Sequence, residues 1–113
     1  MEVATQQYGT VTLIKVDAEE LTAEVVDLVR QVLEDLMDQG QYRLVFDFSK
    51  ARLMDSFFLA LLVLAYKEIS LNGGEIKIVG LSTDLKKTLM NIRFDRLFLD
   101  YETLGDALLA FGE

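Results

Sequence analysis

The chain has 113 residues, with 11 Lys plus Arg against 19 Asp plus Glu and a formal charge of -8 at pH 7. Cys, His and Pro are absent. Their absence removes disulfides, thiol nucleophiles, thiolate and imidazole metal sites, and the side chain most often used as a general base near neutrality. With 51% hydrophobic residues the chain reads as one folded domain spanning 1–113. The negative charge disfavours duplex nucleic acid and anionic membrane surfaces and favours a partner with a basic contact surface. The first 56 residues hold 11 acids and 5 bases, so most of the excess charge lies in the N-terminal half.

The elements alternate in type. An extended stretch over Val3–Tyr8 can pair across Gly9 with a strand over Thr10–Val16. Thr22 is placed to cap a helix whose stripe is Val25, Val29, Val32 and Leu36, widened by Leu33 and Met37, with Gly40 as its left-handed C-terminal residue. Arg43–Phe48 reads as a buried strand, and Lys50–Met54 as a connection. A very apolar helix then runs from Phe57 to about Leu71 and stops at Asn72-Gly73-Gly74. Its composition predicts that most of its surface is covered, in the middle of the domain. Glu75–Val79 alternates as a strand. A third helix follows, with Ser82 or Thr83 as cap and Leu85, Leu89 and Ile92 as stripe. A short strand at Leu97–Tyr101 and a last helix capped by Thr103, carrying Leu104, Ala107, Leu108 and Phe111, complete the chain.

Strands separated by helices imply parallel pairing with right-handed crossovers. The predicted class is α/β: a mixed, mostly parallel sheet of four to five strands with about four helices packed on it. The start MEVATQQYG lacks the basic flank and apolar run of a secretion signal, and the longest apolar run, Phe57–Tyr66, is ten residues. A membrane span needs roughly 20, so no membrane insertion is expected and a cytoplasmic address is the default.

Little in the chain can carry catalysis. Neither a Gly-Lys-Ser/Thr phosphate loop nor a Gly-x-Gly-x-x-Gly turn is present. Glu19-Glu20 and Glu34-Asp35 read as solvated faces rather than acid/base pairs, and no carboxylate spacing singles out a magnesium site. No enzyme activity, cofactor or metal is expected. Asp47, near the end of a buried strand, either positions the following loop or caps nearby backbone N–H groups. The feature that stands out is Leu53-Met54-Asp55-Ser56, between a buried strand and the most apolar helix. Asp55 or Ser56 is an N-cap there. A hydroxyl at such a helix start also accepts a phosphate readily, because free N–H groups and partial positive charge tolerate it. A phosphate adds roughly -1.5 to -2 charges to the surface.

The succession LVFDFS, MDS, an apolar helix, Gly-Gly, EIKIVGLS and a leucine-rich C-terminal helix resembles the STAS domain, and within it the bacterial anti-sigma factor antagonists. The likeness covers about residues 10 to 111. It implies a mixed sheet with helices on one side, and binding rather than catalysis. It also implies a switch Ser after Asp at the start of the second helix, which maps onto Ser56 with Asp55 before it. In that family the unphosphorylated form seizes an anti-sigma factor. An ATPase-type serine kinase, often the anti-sigma factor itself, ends the interaction by phosphorylation, and a phosphatase resets it. The family continues Asp-Ser with a small residue and Gly-Leu-Gly, whereas this chain has Phe57, Phe58, Leu59 and Ala60. Successive helix positions point about 100° apart, so one Phe is expected inward and the other outward. Near the first helix, Val16-Asp17-Ala18 lacks the family's Gly.

The expected contact surface is thus Asp17, Asp55, Ser56, Phe57 or Phe58, and Ser82, with Ser56 as phosphoacceptor. The alternative is a constitutive STAS module in a larger regulatory or transporter assembly, favoured by the Phe pair. Homodimerisation is left open.

Overall fold

The computed structural model describes residues 2–113. Among them the elements are β1 (Glu2–Tyr8), β2 (Val11–Asp17), β3 (Glu20–Leu21), α1 (Ala23–Asp38), β4 (Arg43–Asp47), β5 (Leu53–Met54), α2 (Ser56–Leu71), β6 (Glu75–Val79), α3 (Thr83–Asn91), β7 (Leu99–Tyr101) and α4 (Leu104–Phe111), with a 3₁₀ turn at Phe94–Arg96. The main sheet has the order β1-β2-β4-β6-β7. β1 runs antiparallel to β2 in full register, Glu2 opposite Asp17 and Tyr8 opposite Val11, and the remaining neighbours are parallel. The hairpin turns at Gly9, whose φ of +61° lies in the left-handed region. The expected mixed, mostly parallel sheet is therefore present with five strands. The connection expected over Lys50–Met54 holds one more strand, because Leu53 and Met54 pair in parallel with Glu20 and Leu21. The last strand starts later than expected, since the chain turns as a 3₁₀ helix before it.

Side chains alternate across a strand, so each central strand offers two faces. Ile14, Val16, Leu44, Phe46, Ile76 and Ile78 form the front face, packed with Val25, Val29 and Leu33 of α1, Phe58, Leu62 and Ile69 of α2, and Leu85 and Leu89 of α3. Three rings bind its centre: Phe46 stacks on Phe48 at 5.3 Å between centroids, and Phe48 meets Phe58 edge-on at 5.7 Å. The back face carries Val11, Leu13, Val45 and Val79, and α4 covers it with Ala107, Leu104, Leu108 and Phe111. This corrects the expectation that all helices lie on one side. Strands apolar on both faces need cover on both, and the one helix left after three crossovers supplies it.

α4 also explains a residue that alternation alone misplaces. Lys77 sits mid-strand in EIKIV and is only 3% exposed. Its ammonium lies 4.7 Å from the Phe111 ring and 5.5 Å from the Tyr101 ring, and pairs with Glu75 at 2.5 Å. Arg43 reaches the same ring at 5.1 Å and donates to the Phe111 carbonyl. Two cations thus hold the end of α4 to the sheet.

α2 departs from expectation in the opposite direction. Phe58, Leu61, Leu62, Ala65 and Ile69 are buried, but Phe57, Leu64 and Leu71 stand in solvent. The helix covers the sheet, and among the described residues nothing covers its outer side. Ile92 is likewise half exposed, at the end of α3 rather than within its apolar stripe.

The adjacent Phe residues make a sharp test of this packing. Phe58→Ala is expected to cost about 3–5 kcal/mol in urea-induced unfolding, because it opens a cavity beneath Phe48. Phe57→Ala is expected to stay within about 0.5 kcal/mol of wild type.

Candidate functional site

Parallel strands bring their C-terminal ends to one edge, where loops and helix N-termini gather. β2 ends there at Asp17, β4 at Asp47 and β6 at Val79. The helices that follow, α1, α2 and α3, all begin at this edge. Most of the residues singled out in the sequence belong to it.

Asp55 is its organising group. It is the N-cap of α2, with extended backbone, and its Oδ1 accepts the Phe58 N–H at 2.9 Å. Its other oxygen, Oδ2, accepts the Ala23 N–H at 3.2 Å. One carboxylate therefore satisfies donors at the starts of both α1 and α2. Thr22 holds the cap position of α1, but its side chain makes no cap bond. The expected Thr22 cap is thus replaced by Asp55, 32 positions beyond Ala23. Backbone bonds reinforce the join, with the Asp55 N–H donating to the Leu21 carbonyl and the Arg52 N–H to that of Glu19.

Because Asp55 takes the cap, Ser56 falls on the first helical residue, and it is exposed. Among the described residues no hydrogen bond engages its hydroxyl, in the first turn of α2. Phe57 follows at 65% exposure, with Leu53 of β5 at 50%. Phe58 is fully buried against Phe48. As a contact residue it is therefore corrected: a side chain in the core cannot meet a partner, and the outward-facing aromatic is Phe57.

The neighbouring loops are tied in. Lys50 pairs with Asp17 at 3.1 Å, joining the loop after β4 to the end of β2. Asp17 is thus the last residue of a strand, partly exposed and ion-paired. Asp47 Oδ1 accepts the Ser49 N–H at 2.9 Å, so its carboxylate caps the turn after its own strand. Gly80, with φ of +80°, passes so close to that turn that a Cβ would lie 2.8 Å from the Cβ of Ser49. This contact sets the loop of Ser82 against the loop leading to Asp55. Ser82 is exposed and caps α3, its Oγ accepting the Leu85 N–H at 3.1 Å, so its hydroxyl is already in use.

An apolar cavity of about 220 Å³ lies elsewhere, between α3 and the β7 edge, lined by Ile78, Leu89, Phe94 and Phe98 with the Lys86–Asp100 ion pair at 2.9 Å beside it. Asp100 holds the Lys86 ammonium above its ordinary value. None of residues 47–58 lines this cavity. No group of three or more acids among the described residues could hold a metal, and no helix there is long and apolar enough to cross a membrane.

Replacing Asp55 tests the double cap. Asp55→Ala is expected to cost about 1–3 kcal/mol in urea denaturation, one increment for each helix start it satisfies. Amide exchange should speed up at Ala23 as well as Phe58. Asp55→Asn keeps the acceptor for Phe58 and should recover at least half of the loss.

Comparison with known proteins gives a consistent result. A family model for the STAS domain matches residues 2–107. A candidate anti-sigma factor antagonist from Thermotoga maritima superposes with a TM-score of 0.90 at 22% identity, covering 98% of this chain and 95% of that one. An anti-sigma factor antagonist from Mycobacterium paratuberculosis gives 0.85 at 20% identity, over 99% and 94%. The Bacillus cell fate determinant SpoIIAA in its phosphorylated form gives 0.76 at 17% identity, over 97% and 99%. At these identities the three structures speak for the fold alone. Among curated proteins nothing matches. The family match over nearly the whole length, on a fold shared from end to end with these structures, means that the chain belongs to the STAS domain family.

Proposed function

We propose that this chain is an anti-sigma factor antagonist-type regulator. It binds a partner anti-sigma factor that is also its serine kinase, through the surface around Ser56, and phosphorylation of Ser56 ends the binding. The observation that carries this reading is the division of labour at the start of α2. Asp55 supplies the cap, so the Ser56 hydroxyl is left exposed and unused. A phosphate there would break no hydrogen bond of the fold, and the helix start tolerates its charge. The likeness to a structure of phosphorylated SpoIIAA lends support.

The switch would act on the partner rather than on the fold. Phe57 and Leu53 offer apolar area beside Ser56, and the Asp55 carboxylate caps the same helix start. Adding roughly -1.5 to -2 charges inside such an interface raises its desolvation cost and repels acids already present, unless a partner Arg meets the phosphate. In the unphosphorylated state the overall charge of -8 steers a basic partner toward the chain.

A second reading, a constitutive STAS module in a larger assembly, is favoured by one observation. Phe57 is 65% exposed where the resembling family carries small residues that let a kinase approach.

Incubation with ATP and the partner kinase, followed by mass spectrometry, is expected to add a single phosphate on Ser56. Ser56→Asp is expected to weaken partner binding by about tenfold or more, or roughly 1.4 kcal/mol, with no loss of folding stability. Ser56→Ala should bind like wild type and take up no phosphate. Phe57→Ala should weaken binding under either reading. If the kinase leaves Ser56 unmodified and Ser56→Asp binds normally, the switch is wrong and the constitutive module stands.

A further inference from the structure

α2 keeps large apolar residues on its exposed side, between Ser56 at its start and Lys67 and Glu68 in its last turns. Phe57, Leu64 and Leu71 recur seven residues apart and are 65, 63 and 86% exposed. They form a ridge about 21 Å long at 1.5 Å per residue. Alongside it, α1 and α2 enclose two adjoining clefts of about 190 and 280 Å³ that share Glu34, Met37 and Glu68 as walls. Leu33, Leu61 and Ala65 line the first of them.

The rim of this groove is acidic. Glu34, Asp38 and Glu68 line it and have no ion-pair partner among the described residues. The base in the lining is Arg30, already paired with Asp27 at 2.8 Å. Lys67 lies on the exposed surface next to Glu68 in sequence but lines neither cleft. α1 and α2 follow parallel strands and are joined at their N-termini by Asp55.

We propose that this groove receives an amphipathic helix from a partner protein, with large apolar residues at three-, four- and seven-residue spacing on one face and Lys or Arg along its flanks. The apolar lining of the first cleft, with Leu33, Leu61 and Ala65, and the seven-residue ridge match such a helix. The unpaired acids select its charge. They also disfavour a second copy of this chain, which would set Glu34, Asp38 and Glu68 against groups of the same sign. The surface goes beyond the Ser56 switch, because it runs the length of α2 and does not depend on the hydroxyl.

The test uses the full chain, ¹⁵N-labelled, titrated with two synthetic helices of about six turns. Both carry the same leucine pattern, one flanked by lysines and the other by glutamates. The lysine helix is expected to bind, with amide shifts concentrated on 27–38 and 57–72. Leu64→Ser, a change at an exposed site that leaves the charge alone, should weaken it by about tenfold. Glu34→Lys with Glu68→Lys should weaken it similarly and admit the glutamate helix, whereas Ser56→Asp should change its affinity less than threefold. Equal binding of both helices, shifts scattered over the whole acidic surface, or unchanged affinity in Leu64→Ser would overturn the proposal. So would sedimentation showing a dimer that Leu64→Ser dissolves, since the groove would then belong to a second copy.

Discussion

One carboxylate ties the architecture of the working edge together. Asp55 accepts from the first turns of both α1 and α2, so two helices that belong to different crossovers start from a common point. Three consequences follow from that geometry. The two helices lie side by side over the front of the sheet, with a groove between them. The cap role is filled, which releases the next hydroxyl from structural duty. The loop before α2 is also held to β3, because the Asp55 amide and the short β3–β5 pairing fix it from behind.

The two faces of the sheet are closed by different elements. Its front face, with Phe46, Phe48 and Phe58 at the centre, supports the helices whose N-termini gather at the exposed edge. Its back face is closed by α4, held by the Phe111 ring over Lys77 and Arg43. A buried cation is costly without a partner, and Lys77 has two rings and the Glu75 carboxylate. Changes at the front edge therefore need not disturb how the back is closed.

Seen this way, the apolar character of α2 has two sources. Its inner residues serve the core, and its outer ones, beginning at Phe57, are retained in water although the fold itself does not use them. STAS membership gives those outer residues a setting. Large exposed apolar patches on folded domains mark interaction sites.

Much of the architecture was legible without coordinates, because hydrophobic period and helix-end chemistry are local properties. The alternation of TVTLIKV and EIKIV, the stripe from Val25 to Leu36, and the glycines at 40 and 73 with positive φ each reflect forces acting within a few residues. Asp55-Ser56 at a helix start was legible for the same reason. What could not be read there depends on contacts distant in sequence. The Ala23 amide finds its acceptor 32 residues on, and Lys77 is buried by a helix formed near the end of the chain. The choice between Phe57 and Phe58 rests on where α2 sits over the sheet, and the extent of its uncovered side on what packs against it. Local patterning decided the helices and the main strands, but not the β3–β5 pair or the start of β7. Only the folded arrangement decided which face each one shows, because burial belongs to a residue's neighbours in space and not to its neighbours along the chain.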